Sequence, residues 1–467
     1  MARSPAPTGI TDAGSARGLP AGLLAADAYP HAVAAVELAE THISWVFLAG
    51  DCAYKVKKPV RLDFLDFSTL ELRRHFCEEE LRLNRHFAPE LYLGVSTVND
   101  DGQRIAIDGP GRVVDYAVRM RRFERRQELD AILARGAADA ALLAGFGADL
   151  SALHSAAPVA TPDVEAAATE AAIAANRDNF SALRRLLPAD LAPRLEALAT
   201  WSEDKGRELA PLLARRAREG RCRECHGDLH AANIVCIDGR LVAFDALEFD
   251  PALRWIDVAS DLAFLLMDLG ARGHDELASA ALDGWLSAGG DFEALAVLPW
   301  FMVYRALVRA KVAAIRHAAP GAGDGGREAL HYLDEAARHA LRHRPMLIIT
   351  HGVSGSGKSR LAAGLLAPLG AVRLRSDVER KRLAGLPALA SSGGTIYTPA
   401  ITASTYRRLQ ELATIAIGAG YTAIVDAAFL REEERSDFAE LAGRLGVPFR
   451  ILSATASLEG ERKLVTV

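Results

Sequence analysis

The sequence predicts two domains in series, an α+β domain of two lobes and then an α/β domain built on a parallel sheet. Three observations carry this. Residues 35–58 break into three short β-rich runs, AVELAE, SWVFLAG and CAYKVKK, and long Ala/Leu-rich helical stretches follow. A compact strand–loop–strand block, CHGDLHAANIVCIDGRLVAFDALEF, interrupts those helices from Cys225 to Phe249. Beyond a glycine-rich connector, APGAGDGG at Ala319 to Gly326, a new alternation of strand and helix opens at Met346.

Taken in order, residues 1–30 are expected to be a disordered lead-in. The first twenty are rich in Ser, Gly, Pro and Ala and lack the apolar core of a signal peptide. Gly50 and Asp51 supply the turn between the second and third strands. A helix is expected from Ser68 to Phe87, with Leu70, Leu72, Phe76, Leu81 and Leu83 on its apolar side. VVDYAVRM, Val113 to Met120, is a further strand, and helices fill Glu128 to Arg218. More helices run to about His317, and one from Arg327 to about Arg342 stops before Pro345. The expected domains are 31–343 and 344–467.

Bulk properties narrow the function. The chain has 467 residues, 50% hydrophobic and 25% charged, which is ample for a packed core. Its net charge of -5 disfavours a nucleic-acid partner, whose phosphates call for a basic surface. Five cysteines, an odd number, read as reduced thiols of a cytoplasmic protein. No run reaches the roughly 18 apolar residues that a membrane span requires, so no membrane is expected.

The sharpest motif is MLIITHGVSGSGKSRLAAGLL. Gly352, Gly357, Lys358 and Ser359 satisfy G-x-x-x-x-G-K-[ST] between a strand and a helix. Glycines let backbone N–H groups turn inward around phosphate oxygens, so Gly352, Ser354, Gly355, Ser356 and Gly357 form the cradle for ATP. Lys358 would reach the β- and γ-phosphates, and the Ser359 hydroxyl would ligate Mg2+. Asp426 ends the apolar strand YTAIVDA, either as a second holder of Mg2+ or as a cap of the next helix. Asp377, in RSDVERKRL, is either near a phosphoryl acceptor or a cap. This domain resembles small P-loop kinases of the gluconate-kinase and zeta-toxin type.

The second motif is in the earlier block. His226, Asp228, Leu229 and Asn233 fit H-x-D-L-x-x-x-N, the spacing of the protein-kinase catalytic loop. Asp228 would take the proton of an acceptor hydroxyl or orient it, and Asn233 would bind Mg2+. Two short strands around an Asp238–Gly239 turn bring Asp245 back beside Asn233 as a second metal ligand.

H-G-D-L-H-x-x-N followed by F-D resembles the aminoglycoside phosphotransferase family, whose fold is protein-kinase-like. THISWVFLAGDCAYKVKKPV, EEELRLNRHFAPELYLGV and LRWIDVASDLAFLLMDL extend the resemblance to about residues 31–450. The family they resemble is the bacterial bifunctional aminoglycoside phosphotransferase/ATP-binding proteins. The resemblance implies that Lys55 holds the α- and β-phosphates, with Lys57 on the same strand face as its rival. Glu80 would pair with it, with Glu79 as the alternative. THIS, Thr41 to Ser44, replaces the usual glycine-rich loop, and phosphate cover would come from Ser44 and backbone. Asp257 and Asp261 become structural carboxylates by resemblance, or else a solvated helix face. Glu248 is a supporting acid or an additional metal ligand. His154 reads as a packing histidine, and Cys222 and Cys225 as ordinary thiols, since structural zinc needs four ligands.

The expected function is Mg2+-dependent transfer of the γ-phosphoryl group of ATP to a small-molecule hydroxyl, with a second ATP site at the P-loop. The rival is a nucleotide-binding sensor or pseudokinase pair. After FRILSA the chain runs through TASLEGERKLVTV, where Arg462 is the last arginine. The C-terminal domain is therefore expected to be truncated, with room for a short helix.

Overall fold

The computed structural model describes residues 18–62, 65–318, 325–341, 344–353, 355–387, 396–456 and 462–466. The connector at 319–324 and the tail at 457–461 lie outside these. The chain divides into two compact units, 1–135 with 225–255, and 136–224 with 256–467.

The first unit is organised by an antiparallel six-stranded sheet. Its strands are β1 (Val36–Glu40), β2 (Ser44–Ala49), β3 (Cys52–Lys57), β4 (Tyr92–Asp100), β5 (Ile105–Ile107) and β6 (Arg112–Arg121), in the spatial order β1-β2-β3-β6-β4-β5. Strands β4 and β5 were not legible in the sequence. Irregularities in the pairing of β4 with β6, between Tyr92 and Gly94 and again between Val98 and Asn99, break its alternation.

Side chains alternate along β3, so its two faces enter different cores. Tyr54 and Val56 join Phe47, Val98 and Ala117, whereas Ala53 joins Cys77, Leu91, Val118 and Met120. Helix α2 (Leu70–Phe87) supplies Cys77, and the Thr69 hydroxyl caps it by accepting from the Leu72 N–H at 3.2 Å.

The expected disordered lead-in is corrected over its described part. Helix α1 (Leu19–Leu23) buries Leu19 and Leu23 in the sheet's other core, and the Tyr29 hydroxyl donates to the Leu23 carbonyl at 2.6 Å. Two leucines at a four-residue spacing suffice to cover a sheet face, and composition alone obscured them.

The predicted hairpin is formed by β7 (Ile234–Ile237) and β8 (Arg240–Ala243). Asp238 and Gly239 between them both have positive φ, 50° and 81°, as a two-residue turn of this twist demands.

Helix α3 (Leu129–Ala134) belongs to the first unit, and the second begins with helices α4 (Ala140–Ala156), α5 (Pro162–Leu186), α6 (Ala192–Arg216), α7 (Val258–Ala271), α8 (Asp275–Gly289), α9 (Ala294–Ala318) and α10 (Gly325–Ala340). Helices α4 and α8 pack backbone to backbone. A Cβ at Gly147 would lie 2.0 Å from the Ala281 carbonyl oxygen, so glycine is required there.

An α/β sheet follows in the same unit. Its strands are β9 (Leu347–His351), β10 (Ala371–Arg375), β11 (Thr422–Asp426), β12 (Phe449–Ala456) and β13 (Arg462–Thr466), in the order β10-β11-β9-β12-β13. The first four are parallel and β13 is antiparallel to β12. The tail thus contributes an edge strand, where the sequence left room for a short helix at most. Helices α11 (Lys358–Gly364), α12 (Ser376–Leu383), α13 (Pro399–Gly418) and α14 (Glu432–Leu445) connect the strands. No helix among the described residues is long and apolar enough to cross a membrane.

Candidate active site

Lys55 and Lys57 share the face of β3 that α2 covers, and both reach Glu80 near the middle of that helix. Lys55 Nζ donates to Glu80 Oε1 at 2.9 Å, and Lys57 Nζ to Oε2 at 2.7 Å. They then diverge. Lys55 Nζ also contacts Asp245 Oδ1 at 2.5 Å, and the Asp245 side chain is 43% exposed. Lys57 is 1% exposed, ion-pairs with buried Glu248 and lies 4.8 Å from the centre of the Phe67 ring. Lys55 is the lysine that meets the open carboxylate. Glu79, the alternative partner, turns instead to Arg82 and Arg254. Glu248 serves here as a buried counter-ion of Lys57.

The electrostatics follow from this packing. Burial alone would raise Glu80, but the Lys55 and Lys57 charges outweigh it and hold its carboxyl down to about 2. Burial pushes Glu248 above its usual range, with Lys57 opposing and Glu80 adding to the rise. Both lysines stay raised, because burial is overcome by Asp245 and Glu80 for Lys55 and by Glu248 and Glu80 for Lys57.

The H-G-D-L loop is held from beneath. The His226 ring is buried, bonds the Phe244 carbonyl oxygen at 2.8 Å and packs edge-on against Phe87. Gly227 has φ 84°, and a Cβ there would come within 2.8 Å of the Leu253 carbonyl oxygen. Asn233 Nδ2 donates to both the backbone oxygen and Oδ2 of Asp228, each at 3.0 Å. The Phe244 N–H donates to the Asn233 carbonyl at 2.9 Å, which sets Asp245 one residue away.

Asp245 has φ 63°, a left-handed conformation that a non-glycine residue keeps only when its surroundings impose it. Two residues not singled out from the sequence impose it here. The Tyr92 hydroxyl accepts the Asp245 N–H at 3.0 Å, and Asn84 Oδ1 accepts the Ala246 N–H at 2.9 Å. Asn84 lies four residues after Glu80 on the same helix face, which was its available signal. Tyr92 had none. Ser44, expected to cover phosphate, is fully buried, and its hydroxyl has no partner among the described residues.

In the second unit, the loop after β9 has Gly352, Gly355 and Gly357 at φ 137°, 83° and 89°. A Cβ at Gly352 would sit 2.6 Å from the Ala454 carbonyl oxygen. Ser356 Oγ is buried with no partner among the described residues, which suits a loop shaped around an oxyanion. Lys358 Nζ donates to the Val353 carbonyl at 2.6 Å. Ser359 is exposed, and Ser354 lies outside the described residues.

Asp426 ends β11 beside β9, and its backbone oxygen accepts from the Ser376 hydroxyl at 3.1 Å. Helix α14 starts at Glu432 with Arg431 at its cap position, so Asp426 is not the cap of that helix. Asp377 lies in the first turn of α12, pairs with Lys381 at 2.8 Å and accepts from the Tyr397 hydroxyl at 3.4 Å.

The remaining carboxylates are structural. Asp257 caps α7 and takes two bonds from buried Arg216, at 2.7 and 2.8 Å. Asp261 is fully buried against His154 at 3.2 Å, and the Trp285 indole N–H donates to the other ring nitrogen. That excludes a solvated face for Asp261. None of the five cysteines is in a disulfide, and burial pushes the Cys222 thiol up to about 12.

These features define a protein-kinase-like domain fused to a P-loop domain. The AAA domain family matches residues 347–463. Uncharacterized protein Rv2004c of Mycobacterium tuberculosis is 31% identical over 402 residues, covering 84% of this chain and 78% of its own, and Mb2027c of Mycobacterium bovis matches equally. The chain belongs to the family of these mycobacterial proteins, and its architecture is the one the resemblance to bifunctional aminoglycoside phosphotransferase/ATP-binding proteins implied. Among solved structures, a choline/ethanolamine kinase family protein from Mesorhizobium loti aligns at 13% identity and TM-score 0.41, over 65% of this chain and 87% of its own. Wild-type aminoglycoside 2'-phosphotransferase-IIIa aligns at 11% identity and TM-score 0.38, over 67% and 95%.

Proposed function

We propose that the chain is an ATP- and Mg2+-dependent phosphotransferase that moves the γ-phosphoryl group to a small-molecule hydroxyl, with a second ATP site at its P-loop. The observation that carries the reading is Lys55 held between Glu80 and Asp245, in the same unit as a loop that joins Asp228 to Asn233. Lys55 would release Asp245 to take the α- and β-phosphates. Asp245 and Asn233 would then hold Mg2+, which supplies charge neutralisation to the reacting phosphate. Asp228 would orient the acceptor hydroxyl and receive its proton as the new O–P bond forms and the bond to ADP breaks.

At the P-loop, Gly352, Ser354, Gly355, Ser356 and Gly357 would surround the phosphates with Lys358, while Ser359 and Asp426 would hold Mg2+. Domains at 31–343 and 344–467, and a cytoplasmic location suited to five cysteines outside any disulfide, belong to the same proposal.

The test is ATP consumption by the full chain over a panel of alcohols, sugars and aminoglycosides. Acceptor-dependent ADP release, lost in Asp228→Asn, is the expected result. Nucleotide binding without acceptor-dependent turnover on any compound would favour the sensor reading.

A further inference from the structure

We propose that Arg373 is a positioning residue of the P-loop metal site, held in register by Asp283 of helix α8. This rests on the reading of Asp426 and Ser359 as the Mg2+ holders.

Arg373 lies on β10, the edge strand that pairs with β11, and its side chain is only 12% exposed. Its guanidinium touches three groups. Nε and Nη2 donate to the two carboxylate oxygens of Asp283, at 3.3 and 2.5 Å. Nη1 donates to the Ser359 backbone oxygen at 3.1 Å and lies 4.0 Å from Asp426 Oδ2. One planar fork therefore spans α8, the start of α11 and the carboxylate at the end of β11. Helix α8 is anchored a second time, where Arg382 of α12 donates to the Ser287 carbonyl at 2.8 Å.

The arrangement resolves a conflict of charges. A buried guanidinium beside Asp426 competes with any divalent cation for that carboxylate. The paired, bidentate hold of Asp283 neutralises Arg373 and fixes its plane, so Nη1 supports the Ser359 backbone without closing onto Asp426. Asp283 thereby keeps Asp426 available to metal. Helix α8, in the same compact unit as the P-loop, thus sets the metal affinity of the P-loop.

The experiment measures nucleotide affinity of the full chain with and without Mg2+, taking the share lost in Lys358→Ala as the P-loop site. Asp283→Asn should weaken the Mg2+-dependent part roughly 5- to 50-fold, within the usual range of coupling between sites, and leave Mg2+-free binding unchanged. Asp283→Glu should retain most of the effect, and Arg373→Gln combined with Asp283→Asn should match Arg373→Gln alone. A purely structural pair is also coupled, but predicts losses that do not depend on Mg2+. Losses equal with and without Mg2+, or an unaffected Asp283→Asn, would overturn the proposal while leaving the P-loop reading intact. No loss of nucleotide in Lys358→Ala would end both.

Discussion

The chain holds its two candidate phosphate lysines in opposite ways. Lys358 opens helix α11, five residues after Val353, whose carbonyl it contacts across a loop shaped by three glycines at positive φ. Lys55 is fixed by carboxylates 25 and 190 residues away, inside a buried network that includes a second lysine. The first arrangement is local backbone chemistry; the second exists only when a sheet, a helix and a hairpin have all folded. A lysine whose contact is local can be removed with little consequence for distant segments, whereas a lysine in a long-range ion-pair network is tied to the stability of its unit.

The comparison can be broken most sharply at the catalytic loop. Asp228→Asn should reduce phosphoryl transfer by roughly 10²- to 10⁴-fold, the range for a positioned general base, while ATP still binds. Turnover at the wild-type rate in the purified variant would remove Asp228 from the site.

Next comes the contrast between the two lysines of β3. Lys57→Met leaves Glu80 and Glu248 buried with less compensation and should cost about 3–5 kcal/mol in urea unfolding. Lys55→Met should cost less stability and more nucleotide affinity. The reverse ranking would mean that Lys57 is the phosphate lysine.

Calorimetry should then find two equivalents of nucleotide per chain, of which Lys358→Ala removes one without changing the melting temperature of the protein. A single equivalent in the unmodified chain would contradict the two-site reading.

The smallest effect is in acid. Glu80 is held at about 2 in the folded chain and should titrate near 4.3 when unfolded. Its contribution is therefore complete above the unfolded value and lost as pH falls toward the folded one. Glu248 is shifted upward and works in the opposite direction, so the comparison must isolate Glu80. The stability difference between the chain and Glu80→Gln should shrink as pH falls from about 5 toward 3, because the unfolded chain takes up a proton on Glu80 that the folded carboxylate does not. A constant difference across that window would show that Glu80 carries no depressed titration.

Local rules were sufficient where neighbours in sequence are neighbours in space. The P-loop, the Asp238–Gly239 hairpin and the strand pair around Gly50 were all legible, since each is set by glycine conformation and short-range alternation. The lysine–glutamate pair was legible in part. Alternation placed Lys55 and Lys57 on one face, but only the packing of α2 on β3 chose which lysine reaches Asp245 and turned Glu79 outward.

Other features were not in the sequence in readable form. Leu19 and Leu23 look like part of a polar lead-in until a sheet face is present to cover. Tyr92 and Asn84 acquire their roles only where Asp245 takes a left-handed conformation, and the Arg373 fork needs three elements to converge. The sequence by itself determined which phosphate-binding motifs are present and which backbone shapes they require, because those depend on residues a few positions apart. Tertiary structure alone decided which charges share a buried space, because that depends on distance through space and on the water excluded when distant segments pack.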